Sequence, residues 1–148
     1  MGKISVNIFN FDTLTDIEPT FNISLEEIQR AYEEVFAESS IESINVIFVN
    51  SEHIQELNRE YRDIDAPTDV LSFNIEHNSN AGEIYISPQY VYESFQGDAF
   101  EEEIIRLLIH GTLHILGYDH TESMNDSPNE EMFKIQEELL LKFKKICS

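Results

Sequence analysis

His110 and His114 stand four residues apart in the stretch HGTLHILGYDH, residues 110–120. On a helix such a pair shares one face, with Cβ atoms about 5–6 Å apart. Two imidazoles so placed can bond one metal ion, each at about 2.0–2.1 Å. Gly117 follows three residues later, where a helix needs a residue that tolerates positive φ to stop and turn. Tyr118 and Asp119 then carry the chain round, so that His120 can return to the same ion. Three neutral nitrogens and one open position describe a catalytic zinc site, because structural sites close with four protein ligands. The expectation is one zinc ion per chain, held by His110, His114 and His120.

The same spacing occurs in metzincin peptidases, which carry Glu directly after the first His as general base. Here that position is Gly111, which has no side chain to take a proton. Hydrolysis must find its base elsewhere, or use a zinc-bound water, whose pKa falls to about 7. A metallopeptidase is therefore the rival that Gly111 argues against.

A second informative stretch is YRDIDAPTDVLSF, residues 61–73. Pro67 biases Ala66 toward extended geometry, so a helix, a turn and a strand meet there. The planar fork of Arg62 can clamp two phosphate oxygens. A salt bridge to Asp63, Asp65 or Asp69 is the competing role, and the sequence leaves both open.

Together these stretches resemble the YbeY family, metal-dependent endoribonucleases of bacterial ribosomal RNA maturation. The resemblance rests on HGTLHILGYDH, on YR-x-x-D-x-PTDVLSF, on Gly82-Glu83-Ile84, and on the order of strands and helices over most of the chain. It implies a zincin-like α+β fold with zinc on His110, His114 and His120. It also implies cleavage of RNA with a preference for single strands, Arg62 at the active site, and work on the small ribosomal subunit. Asp119, between Tyr118 and His120, is a candidate to orient a ligand or to serve as base. His53 and His77 read as surface histidines. The chain departs from the family at Asn74, where Pro often follows LSF, and at Glu83, where Asp is commoner.

The elements that must position these residues follow from local patterns. Ile4 to Phe11, Ile44 to Val49, Val70 to Ile75 and Glu83 to Ile86 read as strands. Asp12 to Asn22 reads as a loop. Ser24 and Glu27 form a capping box ahead of a helix that buries Leu25, Ile28, Tyr32, Val35 and Phe36. Asn50 or Ser51 caps a helix that turns Ile54, Leu57 and Tyr61 inward, and Ser87-Pro88 opens another. Asp98 with Glu101 caps the helix that carries His110 and His114, whose apolar residues look nearly all buried. The last helix opens at Ser127-Pro128 with Glu130 and presents Met132, Phe133, Ile135, Leu139, Leu140, Phe143 and Ile146. Its terminal lysines complement the helix dipole. The expected fold class is α+β, a four-stranded mixed sheet packed with about five helices.

With 148 residues the chain is expected to form one domain, 1–148. Its single cysteine, Cys147, excludes an internal disulfide, no apolar run suits a membrane span, and the N-terminus lacks a signal-peptide core. A cytoplasmic protein is expected, with ribosomal RNA, the small ribosomal subunit and ribosome-associated proteins as partners, and neither DNA nor a membrane. Nine basic residues against 29 acidic ones give a net charge of −20, which repels polyanions at long range. Between Ala31 and Ile105 the only cations are Arg59 and Arg62, so RNA contact must be local. The acidic balance favours a second rival, a ribosome-assembly factor whose metal is structural.

Overall fold

The computed structural model describes residues 4–75, 78–118 and 127–147. Four strands, β1 (Ser5–Phe9), β2 (Ser43–Phe48), β3 (Val70–Ile75) and β4 (Asn78–Ile86), form one sheet in the order β1-β2-β4-β3. β1 and β4 run parallel to β2, whereas β3 pairs antiparallel with β4 and forms an edge of the sheet. The mixed pattern is the expected one, and the fold is α+β.

Alternation along the strands decides which helices cover which face. Ile44, Val46 and Phe48 of β2, with Ile84 and Ile86 of β4, are buried in the main core. That core also takes Ile28, Ala31 and Tyr32 of α2 (Leu25–Val35), eight residues of α5 (Gly97–Ile115), and Met132, Leu140 and Phe143 of α6 (Ser127–Cys147). A smaller cluster of Val49, Ile54 and Leu71 is covered by α3 (Ser51–Arg62), with Phe73 and Tyr85 packed against it. Expected caps appear at Ser24 with Glu27, at Asn50, and at Ser87 ahead of α4 (Pro88–Tyr92).

Six helices occur among the described residues, one more than expected. The extra helix is α1 (Phe11–Ile17), in the segment read as a loop. Asn10 adopts φ 61° and ends the strand, and Leu14 is then fully buried while Phe11 meets Phe21 and Phe48 edge-on. Thr and Asp are weak helix formers, so tertiary burial and not propensity makes this helix. The start of α5 also differs. Gln96 is its N-cap and Asp98 lies in the first turn, while Glu101 accepts a hydrogen bond from the Asn22 N–H. Glu18 holds the Gly97 N–H at 2.8 Å, and that bond keeps its carboxyl below the usual range, helped by the Thr20 hydroxyl.

Two side chains leave the faces assigned to them, since Tyr61 is 63% exposed and Phe133 is 61% exposed. Lys144 lies in the last turn of α6 and also pairs with Glu102 at 2.9 Å. The capping box expected at Ser127 and Glu130 involves side chains outside the described set, although α6 does begin at Ser127. His53 is exposed, and His77 lies outside the described residues. Among the described residues no helix is long and apolar enough to cross a membrane.

Two glycines set the depth of α5 on the sheet. A Cβ on Gly111 would stand 3.0 Å from the buried side chain of Ile84. On Gly82 it would fall inside the contact distance of Ile115 and 2.8 Å from the Phe73 carbonyl oxygen. Helix and strand therefore approach along a seam that excludes a Cβ at Gly82 and crowds one at Gly111. Asn74 adds a polar tie, donating its side-chain amide to the Ile115 carbonyl at 2.8 Å. The residue that departs from the family pattern thus pins β3 to the C-terminal end of α5.

Candidate active site

The last two turns of α5 bring His110 and His114 to the rim of a cleft of about 450 Å³ that runs along β3. Residues 68–74 form one wall, Arg62 enters from the end of α3, and both histidines are half-buried. α5 stops as its sequence requires. Gly117 takes φ 111°, its N–H bonds the His114 carbonyl at 3.0 Å, and the Tyr118 N–H bonds the Leu113 carbonyl at 3.0 Å. This is a Schellman stop, and it holds the helix intact through the histidine pair.

The two Nε2 atoms lie 3.1 Å apart. Zinc bonds imidazole at about 2.0–2.1 Å, and two such bonds at a tetrahedral angle put the nitrogens about 3.3–3.4 Å apart. The pair therefore suits zinc without rearrangement of the helix. Among the described residues no third His, Cys, Asp or Glu joins it. His120 and Asp119, the remaining candidates, lie outside the described residues.

One neighbour of the pair escaped the sequence reading. Gln136 of α6 is only 7% exposed, and its Oε1 lies 2.8 Å from His110 Nδ1. Its Nε2 donates to Glu137 at 3.1 Å, and Glu137 in turn receives Arg106 at 2.9 and 3.2 Å. Arg106 also donates to Glu103 at 2.6 Å. The Arg106 hydrogen bond holds the Glu137 carboxyl below the usual range, whereas burial pushes Glu103 up. The available signal was a neutral polar residue on the buried stripe Met132, Gln136, Leu140, Phe143 of α6. Its partner, an α5 histidine, is 26 residues away in sequence, which no local pattern reveals.

Arg62 closes α3, and Asp63 turns the chain away at φ 63°, a conformation that Asp tolerates. Among the described residues no carboxylate lies within ion-pair distance of Arg62. Asp65 is engaged instead by Arg59 at 3.6 Å and by the Gln55 amide at 3.0 Å. The salt-bridge role left open by the sequence is thus absent here. Arg62 is also the only Lys or Arg among the described lining residues, and Asp69 the only carboxylate.

Glu83, the other departure, points away from the main core and accepts the Tyr85 hydroxyl at 3.0 Å. Burial, with Glu83 adding to it, pushes that phenol up to about 12.

Comparison with known proteins bears on this arrangement. The family model described as Endoribonuclease YbeY matches residues 7–144. A protein of that name from Treponema denticola is 38% identical over 142 residues, covering 86% of this chain and 88% of its own length. Another from Acholeplasma laidlawii is 37% identical over 143 residues, covering 94% and 96%. One from Thermotoga petrophila is 39% identical over 115 residues, covering 76% and 75%. A Thermotoga maritima protein of known solution structure superposes with a TM-score of 0.65 at 32% identity, over 95% of this chain and 89% of that one. A match this long, carried by relatives this similar along nearly their whole length, places the chain in the family described as Endoribonuclease YbeY.

Proposed function

We propose that this chain is a zinc-dependent endoribonuclease that prefers single strands and acts in the maturation of small-subunit ribosomal RNA and in ribosome quality control. One observation carries the reading at the level of the site. A guanidinium with no ion-pair partner among the described residues and two convergent imidazoles line the same cleft, and family membership supplies the reaction class. His110, His114 and His120 would hold the ion. Bound there, zinc supplies Lewis acidity toward a phosphoryl oxygen and lowers the pKa of a coordinated water to about 7.

The chain's own residues do the rest. Arg62 binds the scissile phosphate through its planar fork and stabilises the extra negative charge of the pentacoordinate transition state. Gln136 accepts the Nδ1 proton of His110, which leaves the Nε2 lone pair facing the cleft. Glu137, fixed by Arg106, determines which end of the Gln136 amide faces the histidine. Asp119 would orient a ligand or take a proton.

Gln136→Leu keeps the volume but removes the acceptor. Zinc affinity is expected to fall about 10- to 100-fold, measured by competition with a chromophoric chelator. A lower thermal midpoint at unchanged affinity would assign Gln136 to packing alone.

The reading is tested by offering the zinc-loaded protein a structured RNA, an unstructured RNA and casein. Cutting of the unstructured RNA with casein intact is expected, and must stop when a chelator removes the metal. Zinc-dependent proteolysis without RNA cleavage would promote the peptidase. Chelation that unfolds the protein while none of the three substrates is ever cut would promote the assembly factor.

A further inference from the structure

Next to the cleft, three aromatic rings from three elements meet on the sheet face that α3 covers. Tyr61 of α3 lies against Phe73 of β3 with centroids 5.1 Å apart and planes at 59°. Phe73 lies edge-on to Tyr85 of β4 at 5.9 Å. Phe73 and Tyr85 also pack on the small core of Val49, Ile54 and Leu71, which accounts for their presence. Tyr61 is not part of that core and leaves 63% of its surface in solvent. Its helical neighbours Ile54 and Leu57 show what burial on α3 looks like, and Tyr61 does not share it.

Two features say what would cover such a ring. Tyr61 directly precedes Arg62, and Phe73, on which it rests, itself lines the cleft. Phe73 thus links the exposed Tyr61 ring to the cleft in which a phosphate would sit. The charge balance points the same way. A chain of net charge −20, with one cation among the described cleft residues, cannot hold a polyanion on a basic track. Stacking of bases on aromatic rings gives affinity without positive charge, and is open only to bases that are not already stacked and paired in a duplex.

We propose that Tyr61, backed by Phe73, is a stacking platform for an unpaired nucleobase adjoining the phosphate held at Arg62. The platform rests on the ribonuclease reading and extends it, because it makes the single-strand preference a property of these rings.

The chain contains no tryptophan, so Tyr61→Trp introduces a sole indole at the proposed contact. The probe is a 2′-O-methyl oligoribonucleotide of about eight residues, alongside its duplex and a fully abasic strand of equal charge. Quenching of the indole by the single strand, but by neither the duplex nor the abasic strand, is expected. Tyr61→Ala should bind the single strand roughly 5- to 150-fold more weakly than wild type, with an unchanged slope of affinity against salt. Unmodified RNA of the same sequence is offered to wild type in parallel. If wild type cuts it while Tyr61→Ala binds as tightly as wild type, or the abasic strand binds equally well, the platform is wrong and the ribonuclease reading stands. If wild type neither binds nor cuts RNA, both fall.

Discussion

Arg62→Lys is expected to cut RNA almost as poorly as Arg62→Ala, each about 10²–10³ slower than wild type in single turnover. That loss corresponds to about 2.7–4 kcal/mol of transition-state stabilisation. A lysine keeps the charge but offers a point contact where the guanidinium offers two parallel hydrogen bonds. Arg62 ends its helix exposed, and no ion pair ties it among the described residues, so neither variant removes a structural contact of consequence. Metal content and thermal midpoint should both stay near wild type. Single-turnover cleavage, elemental analysis and melting on the same three preparations decide the matter. A destabilised but fully active Arg62→Ala would end the catalytic role.

The second large effect concerns the histidine pair. His114→Ala removes one of two nitrogens that lie 3.1 Å apart, and elemental analysis of the purified variant should find most of the metal gone. Stability supplies an independent reading. A ligand that binds only the folded state stabilises it by about 4.1 kcal/mol at a thousand times its dissociation constant. Excess zinc should therefore raise the thermal midpoint of wild type and leave that of His114→Ala nearly unmoved. Wild-type stoichiometry in the variant would show that the ion sits elsewhere.

The parts of the site legible in the sequence are those encoded within a few residues of one another. His110 and His114 were readable because helical spacing alone puts them on one face, and Gly117 because only a residue at ease with positive φ ends the helix there. Arg62 stood out because cations are so few in the middle of the chain. Gln136 and the Arg106–Glu137 pair were not readable, since the bonds from His110 to Gln136 and from Arg106 to Glu137 join α5 to α6. The strands were legible from β-branched runs, but β4 begins at Asn78, well before the expected Glu83, because pairing with β3 recruits polar residues with no strand signature. α1 was missed for the converse reason, because its helical role comes only from tertiary burial, of Leu14 in the core and of Phe11 against Phe48 and Phe21. Tyr61 was misplaced because spacing puts it on the stripe of Ile54 and Leu57, whereas its ring lies against Phe73 outside the small core and stays 63% exposed.

The seam between α5 and β4 also bears on how this scaffold can change. A glycine codon can become a glutamate codon by a single nucleotide substitution, so the base that Gly111 lacks is genetically close. It is physically far, because Gly111 faces the fully buried Ile84 and a Cβ there already crowds it at 3.0 Å. A carboxylate added at that point enters an apolar layer with no partner, at a cost of several kcal/mol. A glutamate at that position must first displace the Ile84 side chain. Making that room means trimming a fully buried side chain, which weakens the same layer. The two chemistries are then separated by a valley in stability, which is reason enough for a lineage to stay on one side of it.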